Sequence, residues 1–179
     1  ARHIEYDIDG VHMRAQLGGQ FNVMNSLAAV SAARALGVSL AEIANGLGRA
    51  TAVPGRFESI DAGQSFDVIV DYAHTPDALE RVLDSSRSLM SENGKLIVVF
   101  GCGGDRDADK RQPMGEIAGA KADVVIITSD NPRSESGAEI ALQINAGVRP
   151  SESHKVLCTE LDRRAAIGKA FSIAQLGDV

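Results

Sequence analysis

The sequence is poor in cysteine and proline, and it has no long apolar run. Its 179 residues include two cysteines and five prolines. Cys102 and Cys158 lie far apart, each in or beside an apolar run, so we expect reduced, buried thiols and a reducing compartment. The longest apolar stretches, such as 95–101, fall well short of the ~20 residues that a membrane helix needs. These shortages argue against a disulfide-stapled miniprotein and against a membrane span.

Basic charge is neither abundant nor clustered. There are 18 basic and 24 acidic residues, which gives a net charge of −6. Because no stretch concentrates the basic residues, a dedicated nucleic-acid binder is not expected. A composition of 44% hydrophobic and 23% charged residues, with 18 glycines, is typical of a folded α/β protein.

Two familiar site motifs are missing. No G-x-x-x-x-G-K-[ST] sequence occurs, since Gly94-Lys95 is followed by Leu and Gly168-Lys169 by Ala. The four histidines show no metal-ligand spacing. We therefore expect neither a triphosphate-binding P-loop nor a protein-only metal site in this chain.

The first third of the chain predicts a hairpin followed by helices. Asp9-Gly10 is a strong two-residue hairpin signal between alternating segments, and Ser39 with Glu42 forms a capping box. The predicted elements are two strands within 3–17, a helix over 21–36 that Gly37 closes, and a short helix after Ser39. The chain begins ARHIEYDIDG, without Met or an apolar core, so we expect no signal peptide and a piece of a longer protein.

A change of rhythm after Pro54-Gly55 predicts a domain boundary, with domains over 1–53 and 54–179. Thr75-Pro76 is a helix start signal in the second part. Strand and helix signals then alternate, which indicates an α/β fold with a mostly parallel, doubly wound, Rossmann-like sheet. The segments are 66–72, 76–90, 95–101, 110–121, 123–128, 137–146, 155–158 and 161–175.

Three polar loops follow predicted strands, at the sheet edge where open α/β proteins bind ligands. In DYAHTPD (71–77), Asp71 and His74 precede a helix whose free N–H groups favour an anion, so one interpretation is a nucleotide contact. The other is that Asp71 ties down the turn and His74 packs on the surface.

The second loop, GCGGDRDADKR (101–111), combines glycines with Arg106, Lys110 and Arg111, which indicates an anion site. It departs from the dinucleotide fingerprint, because Arg106 stands in place of the third glycine. A glycine-shaped turn with solvated charges is the alternative. Cys102 has no partner placed by the sequence to activate it as a nucleophile.

The third loop, SDNPRSE (129–135), has the chemistry of an amino-acid site. Pro132 favours an extended Asn131. Asp130 and Asn131 can accept hydrogen bonds from an ammonium, and Arg133 can bind a carboxylate bidentately. The alternative is an ordinary Asx turn.

Taken in order, five segments resemble the Mur ligases. They are GQFNVMNSLAA (19–29), VPGRFE (53–58), VDYAHTPDALE (70–80), FGCGGDRDADKR (100–111) and SDNPRSE (129–135). Within that superfamily, the last two resemble the synthetases that add meso-diaminopimelate. The resemblance implies the end of a central ATPase domain (1–53), followed by a C-terminal amino-acid-binding domain (54–179) that is truncated at its end.

The resemblance also implies a reaction and its site residues. A cytoplasmic, ATP- and Mg²⁺-dependent ligase would join meso-diaminopimelate to UDP-MurNAc-L-Ala-D-Glu through an acyl phosphate. The metal and P-loop would lie mainly in a central portion outside this chain, which is therefore not expected to catalyse ligation alone. The implied nucleotide contacts are Asn22, Asn25, Arg56, Asp71 and His74, and the implied diaminopimelate contacts are Arg106, Asp130, Asn131 and Arg133.

Alternatives stay open at this point. One is a Mur ligase with another amino acid, such as lysine, and another is a folylpolyglutamate or cyanophycin synthetase. A non-catalytic nucleotide-binding module is the alternative from a different class. We expect a monomer, with no nucleic-acid or membrane partner.

Overall fold

The computed structural model describes residues 3–148 and 156–179, which divide into two compact units. The first contains residues up to Ala62 together with Val68–Tyr72, and the second contains Gly63–Asp67 and Ala73–Val179. The domain boundary between residues 53 and 54, expected from the sequence, stays a prediction.

The first unit begins with the predicted hairpin. Strands β1 (Ile4–Ile8) and β2 (Val11–Ala15) pair antiparallel, and Ile8 lies opposite Val11. Asp9 and Gly10 both have positive φ, at 49° and 80°, which is the backbone of a two-residue type I′ turn. The Asp-Gly signal is therefore confirmed.

Two helices follow, with the predicted caps. Helix α1 (Phe21–Ala35) ends in a Schellman motif, in which Gly37 N donates to Arg34 O and Val38 N to Ala33 O. Helix α2 (Leu40–Arg49) starts with the Ser39–Glu42 capping box.

A short antiparallel pair, β3 (Glu58–Ile60) and β4 (Val68–Val70), completes the first unit. We expected 66–72 to be a buried strand in the rhythm of the parallel sheet, and this prediction is wrong. Val70 is 43% exposed, and β4 bonds to its neighbour along the chain. An antiparallel partner can be reached through a short loop, whereas a parallel partner needs a longer crossover connection. Pairing with β3 is therefore favoured.

The second unit confirms the α/β prediction. Three parallel strands, β5 (Ile97–Phe100), β6 (Val124–Ile127) and β7 (Val156–Thr159), lie side by side in chain order. Four helices accompany them: α3 (Pro76–Arg87), α4 (Arg111–Lys121), α5 (Gly137–Gly147) and α6 (Arg163–Ile173). Helix α3 stops three residues before the predicted end, and residue 155 of the last predicted strand lies outside the described residues.

Helices cover both faces of this sheet, as a doubly wound fold requires. Along β6, Val125 and Ile127 belong to the core cluster that contains residues of α3, α4 and α5. Val124 and Ile126 instead pack with Ala166 and Ala170 of α6. Across residues 3–148 and 156–179, no helix is long and apolar enough to cross a lipid bilayer.

Candidate functional site

Two loops leave the carboxyl ends of the neighbouring strands β5 and β6 and run side by side. We call residues 101–110 and 128–136 the paired loops. At their base, Thr128 N donates to Phe100 O over 2.9 Å. A Cβ added to Gly101 would lie 2.2 Å from Thr128 O, so this approach requires glycine. The parallel topology thus joins two segments that are about 30 residues apart in sequence.

Hydrogen bonds connect the paired loops along their length. Gly104 N donates to Asn131 O over 2.8 Å, and Arg133 Nη1 donates to Gly104 O over 2.6 Å. Ser134 Oγ donates to Asp105 Oδ1 over 2.6 Å, and this bond lowers the pKa of the Asp105 carboxyl. The two loops therefore form one connected surface.

The paired loops bring together the residues expected to bind diaminopimelate. A Cβ added to Gly103 would lie 3.0 Å from Arg133 Nη1 and 4.0 Å from Arg106 Cγ, so both arginines flank one bare backbone position. The side chains of Asp130 and Asn131 belong to exposed residues on the neighbouring segment. Two arginine side chains thus lie beside the Gly103 backbone, and the exposed residues Asp130 and Asn131 belong to the loop that runs next to it.

We expected Arg111 to supply positive charge to a bound anion, and this prediction is wrong. It is only 1% exposed, and its guanidinium donates to both oxygens of Glu135, at 2.8 and 2.9 Å. The Arg111 hydrogen bond is the main cause of the lowered pKa of Glu135, and the same bond raises the pKa of Arg111. Lys110 Nζ also has a protein partner, since it donates to His74 O over 2.8 Å.

Sequence reasoning missed Glu135 as a functional candidate. The carboxylate accepts from Asp105 N over 2.6 Å as well as from Arg111, so it contacts both the other loop and the start of α4. Arg111 lies 24 positions away, and no local spacing pairs the two residues. The only available signal was an acidic residue directly after the DNPRS segment.

Two of the predicted nucleotide contacts, Asn22 and Asn25, lie on the first turns of α1. Asn22 is buried, and its Nδ2 donates to Gly18 O over 2.7 Å. Its Oδ1 accepts from the amide of Asn25, which is an exposed residue. Asn22 therefore anchors the turn before the helix, and Asn25 is the member of the pair that solvent reaches.

Arg56 and Asp71 lie at one turn of the first unit. Asp71 Oδ2 accepts from Phe57 N over 2.7 Å, while Phe57 adopts φ of 48°. The Arg56 guanidinium stacks over the Tyr72 ring, with Cζ 4.9 Å from the ring centroid, in a cation–π arrangement. Asp71 thus does tie down a turn, and the neighbouring guanidinium is held in an exposed position.

His74 lies in the second unit, immediately before the cap of α3. Thr75 caps that helix by accepting from Ala78 N, and Pro76 occupies the first helical position, as predicted. His74 is an exposed residue, and its carbonyl accepts from Lys110. The predicted nucleotide contacts are therefore divided between the two units.

Cys102 is structural. It is 3% exposed, its Sγ lies 3.7 Å from Met114 Sδ, and burial raises the pKa of its thiol. The described parts of the chain hold no group of three or more His, Cys, Asp or Glu side chains that could bind a metal ion.

A family profile described as "Mur ligase, glutamate ligase domain" matches residues 55–179. The chain belongs to the Mur ligase family. The match contains both paired loops, the cap of α3 and all three parallel strands.

Curated relatives agree over nearly the whole chain. A protein of Syntrophomonas wolfei is 44% identical over 100% of this chain, and one of Geobacillus kaustophilus is 50% identical over 93%. Both are named UDP-N-acetylmuramoyl-L-alanyl-D-glutamate--2,6-diaminopimelate ligase. The chain spans 38% and 33% of their respective lengths, so it corresponds to about a third of each.

Solved structures give the same fold. One ligase with the same name is 39% identical, with a TM-score of 0.64 over 94% of this chain and 34% of its own. E. coli FolC in complex with ADP has a TM-score of 0.68 over 99% of this chain and 42% of its own, at 21% identity. At that identity the second likeness concerns the fold alone.

Proposed function

We propose that the protein containing this chain is an ATP-dependent amide ligase that adds meso-diaminopimelate to UDP-MurNAc-L-Ala-D-Glu in the cytoplasm. The observation that carries the proposal is the convergence of Arg106 and Arg133 on the bare backbone of Gly103, beside Asp130 and Asn131. The named relatives support the reaction. In this proposal residues 54–179 supply amino-acid recognition, and residues 1–53 end the central ATPase domain.

The far end of diaminopimelate suits these side chains. It carries one carboxylate and one ammonium, for which a guanidinium and oxygen acceptors are the matching partners. Lysine lacks the far carboxylate and would leave Arg133 without its anionic partner. A site built for a polar group can reject an analogue that lacks it by ~10⁴-fold, which makes Arg133 a specificity residue.

In the proposed reaction, ATP phosphorylates the D-glutamyl carboxylate, and the diaminopimelate amine attacks the acyl phosphate. The products are the tripeptide-bearing nucleotide, ADP and phosphate. The described part of this chain lacks a set of Mg²⁺ ligands, so we assign no step through the metal to it. The contribution of these residues is to orient the amine.

For the nucleotide, we propose Asn22, Asn25, Arg56, Asp71 and His74 as contacting or supporting residues. Arg56 is the strongest of these, because its guanidinium is both exposed and held in place by the Tyr72 ring. A positioned guanidinium is well suited to a phosphate. Asp71 and Asn22 would act by holding the turns beside it, since each is hydrogen-bonded to backbone.

A competition assay on the complete parent protein tests the function. The protein receives ATP, Mg²⁺ and UDP-MurNAc-L-Ala-D-Glu, with meso-diaminopimelate and L-lysine present together, and the product is identified by mass. We expect diaminopimelate product. Lysine product would overturn the pocket but keep the ligase. No product with either, despite a P-loop upstream of Ala1, would indicate another amide ligase, and absence of that P-loop would indicate a non-catalytic module.

A further inference from the structure

A buried arginine forms one side of a clamp between the paired loops. Arg111 is the first residue of α4 and is 1% exposed. It donates to both carboxylate oxygens of Glu135, and its Nη1 also donates to Gln143 Oε1 over 2.7 Å. A planar guanidinium with three such contacts has one orientation available to it, so it presents a rigid fork to the carboxylate.

Glu135 forms the other side and reaches into the middle of the opposite loop. Its Oε1 accepts from Asp105 N over 2.6 Å, one residue before Arg106. Its own backbone N donates to Pro132 O over 2.9 Å, beside Arg133. Glu135 is therefore hydrogen-bonded beside both arginines, through its carboxylate to Asp105 and through its backbone N–H to Pro132.

We propose that Glu135, held by Arg111, is a positioning residue that sets the spacing of Arg106 and Arg133 and thereby the amino-acid specificity of the site. The inference rests on the proposed function and extends it to two residues that touch no substrate. Arg106 belongs to one paired loop and Arg133 to the other, so their separation depends on what connects the loops. The ion pair of Arg111 and Glu135, which we call the clamp, is the charged part of the connection between the paired loops.

The substitution Glu135→Gln tests the positioning role of the carboxylate. Glutamine preserves the size and one oxygen of the side chain, but its NH₂ group faces an N–H donor and cannot accept from it. At least one of the three hydrogen bonds that the carboxylate accepts is then lost, which weakens the connection between the loops. Because a misplacement of 1 Å can cost about 100-fold, substrate recognition should suffer. The phosphorylation step should not, since neither arginine is proposed to touch the acyl phosphate.

The experiment uses the complete parent protein with Glu135→Gln, and Glu139→Gln is the matched control. Glu139 is an exposed residue in the first turn of α5, outside the paired loops. For Glu135→Gln we expect KM for diaminopimelate to rise about 10- to 100-fold, with a smaller loss of kcat, while KM for ATP stays within about twofold of the wild type. The preference for diaminopimelate over lysine, as a ratio of kcat/KM values, should fall about tenfold or more. Glu135→Asp, which keeps the charge, should recover part of the loss.

Other outcomes overturn the inference. An unchanged KM for diaminopimelate, or an equal loss in every kinetic parameter, would show that Glu135 has no positioning role. If circular dichroism shows that Glu135→Gln is unfolded, Ser134→Ala is measured instead, because it removes one of the two hydrogen bonds from Ser134 to Asp105 in the same connection. Ser134→Ala should also raise KM for diaminopimelate, and an unchanged KM would contradict the inference. A wild-type protein that fails to use diaminopimelate would refute the proposed function first, and this inference with it.

Discussion

At the residue scale, the most informative side chain is Arg133. Its φ of 51° lies in the left-handed region, which costs a residue with a side chain of order 1 kcal/mol or more. The bond from its Nη1 to Gly104 O holds this conformation in place. Because Arg133 is an exposed residue, this conformation does not serve core packing, which supports the proposed role in ligand recognition.

Arg133→Ala in the complete parent protein should weaken diaminopimelate recognition by about 2 to 5 kcal/mol, since it leaves a substrate carboxylate without its partner. The measurement is kcat/KM for diaminopimelate. Arg164→Ala, an exposed arginine of α6, is the control and should change little. An Arg133→Ala enzyme with unchanged kcat/KM would remove Arg133 from the pocket.

Cys102 should be chemically silent in the folded chain. Burial against Met114 raises the pKa of the thiol, and the thiolate is the reactive form. We expect iodoacetamide at pH 8 to leave Cys102 unmodified in native protein and to label it fully in 8 M urea, with the site identified by peptide mass. Equal labelling rates in both conditions would contradict this assignment.

At the element scale, the close contact of α4 and α5 depends on two facing glycines. A Cβ at Gly115 would lie 2.0 Å from Ile144 O, and one at Gly147 would lie 2.0 Å from Gln112 O. The backbones of the two helices therefore touch. This contact matters for the site because α4 begins with Arg111.

Gly115→Ala should lower the free energy of unfolding by about 1 to 3 kcal/mol, because the added methyl group forces the helices apart. Gly168→Ala in α6 is the matched control, since a Cβ there meets nothing within 4 Å. It should raise stability by about 0.5 to 1 kcal/mol through helix propensity. Urea unfolding of both variants gives the comparison, and the same sign for both would refute the packing argument.

Element types were predictable where their signals are local. Ser39 and Glu42, three residues apart, define the start of α2, and Asp9-Gly10 defines the first turn. The pairing of β4 was not predictable in this way. Its apolar residues suit either kind of sheet, and the choice of partner depends on competition between strands distant in sequence.

At the scale of the whole molecule, hydrogen-bonded carboxyl groups contribute to the loss of stability in acid. Hydrogen bonds lower the pKa values of Asp105, Glu135 and Glu160 from ordinary values of 3.8 to 4.5. A carboxyl with a lowered pKa stabilises the folded state above its unfolded value, and this contribution is lost as pH falls through the folded value. Acid should therefore destabilise the chain below about pH 4.

The loss of stability at alkaline pH has a different origin. The pKa of Cys102 is raised from 9.0 by burial, and that of Lys169 from 10.5 chiefly by its hydrogen bond to Glu160. Both groups stabilise the folded state below their unfolded values and lose that contribution as pH rises through the raised ones. Thermal unfolding from pH 3 to 12 should show a plateau between about pH 5 and 8, with losses on either side. A midpoint that rises steadily into acid would contradict these assignments.

The sequence by itself determined the α/β class, the caps, the hairpin turn and the family, because each depends on residues that are close together or on motifs in a given order. Through the resemblance to the family it also grouped Arg106, Asp130, Asn131 and Arg133 as expected diaminopimelate contacts, which stay a prediction. Only the tertiary structure decided that Arg111 is buried against Glu135 rather than open to a ligand. The physical reason is that a hydrogen bond across 24 residues depends on how parallel strands align their carboxyl ends, and no local spacing carries that information.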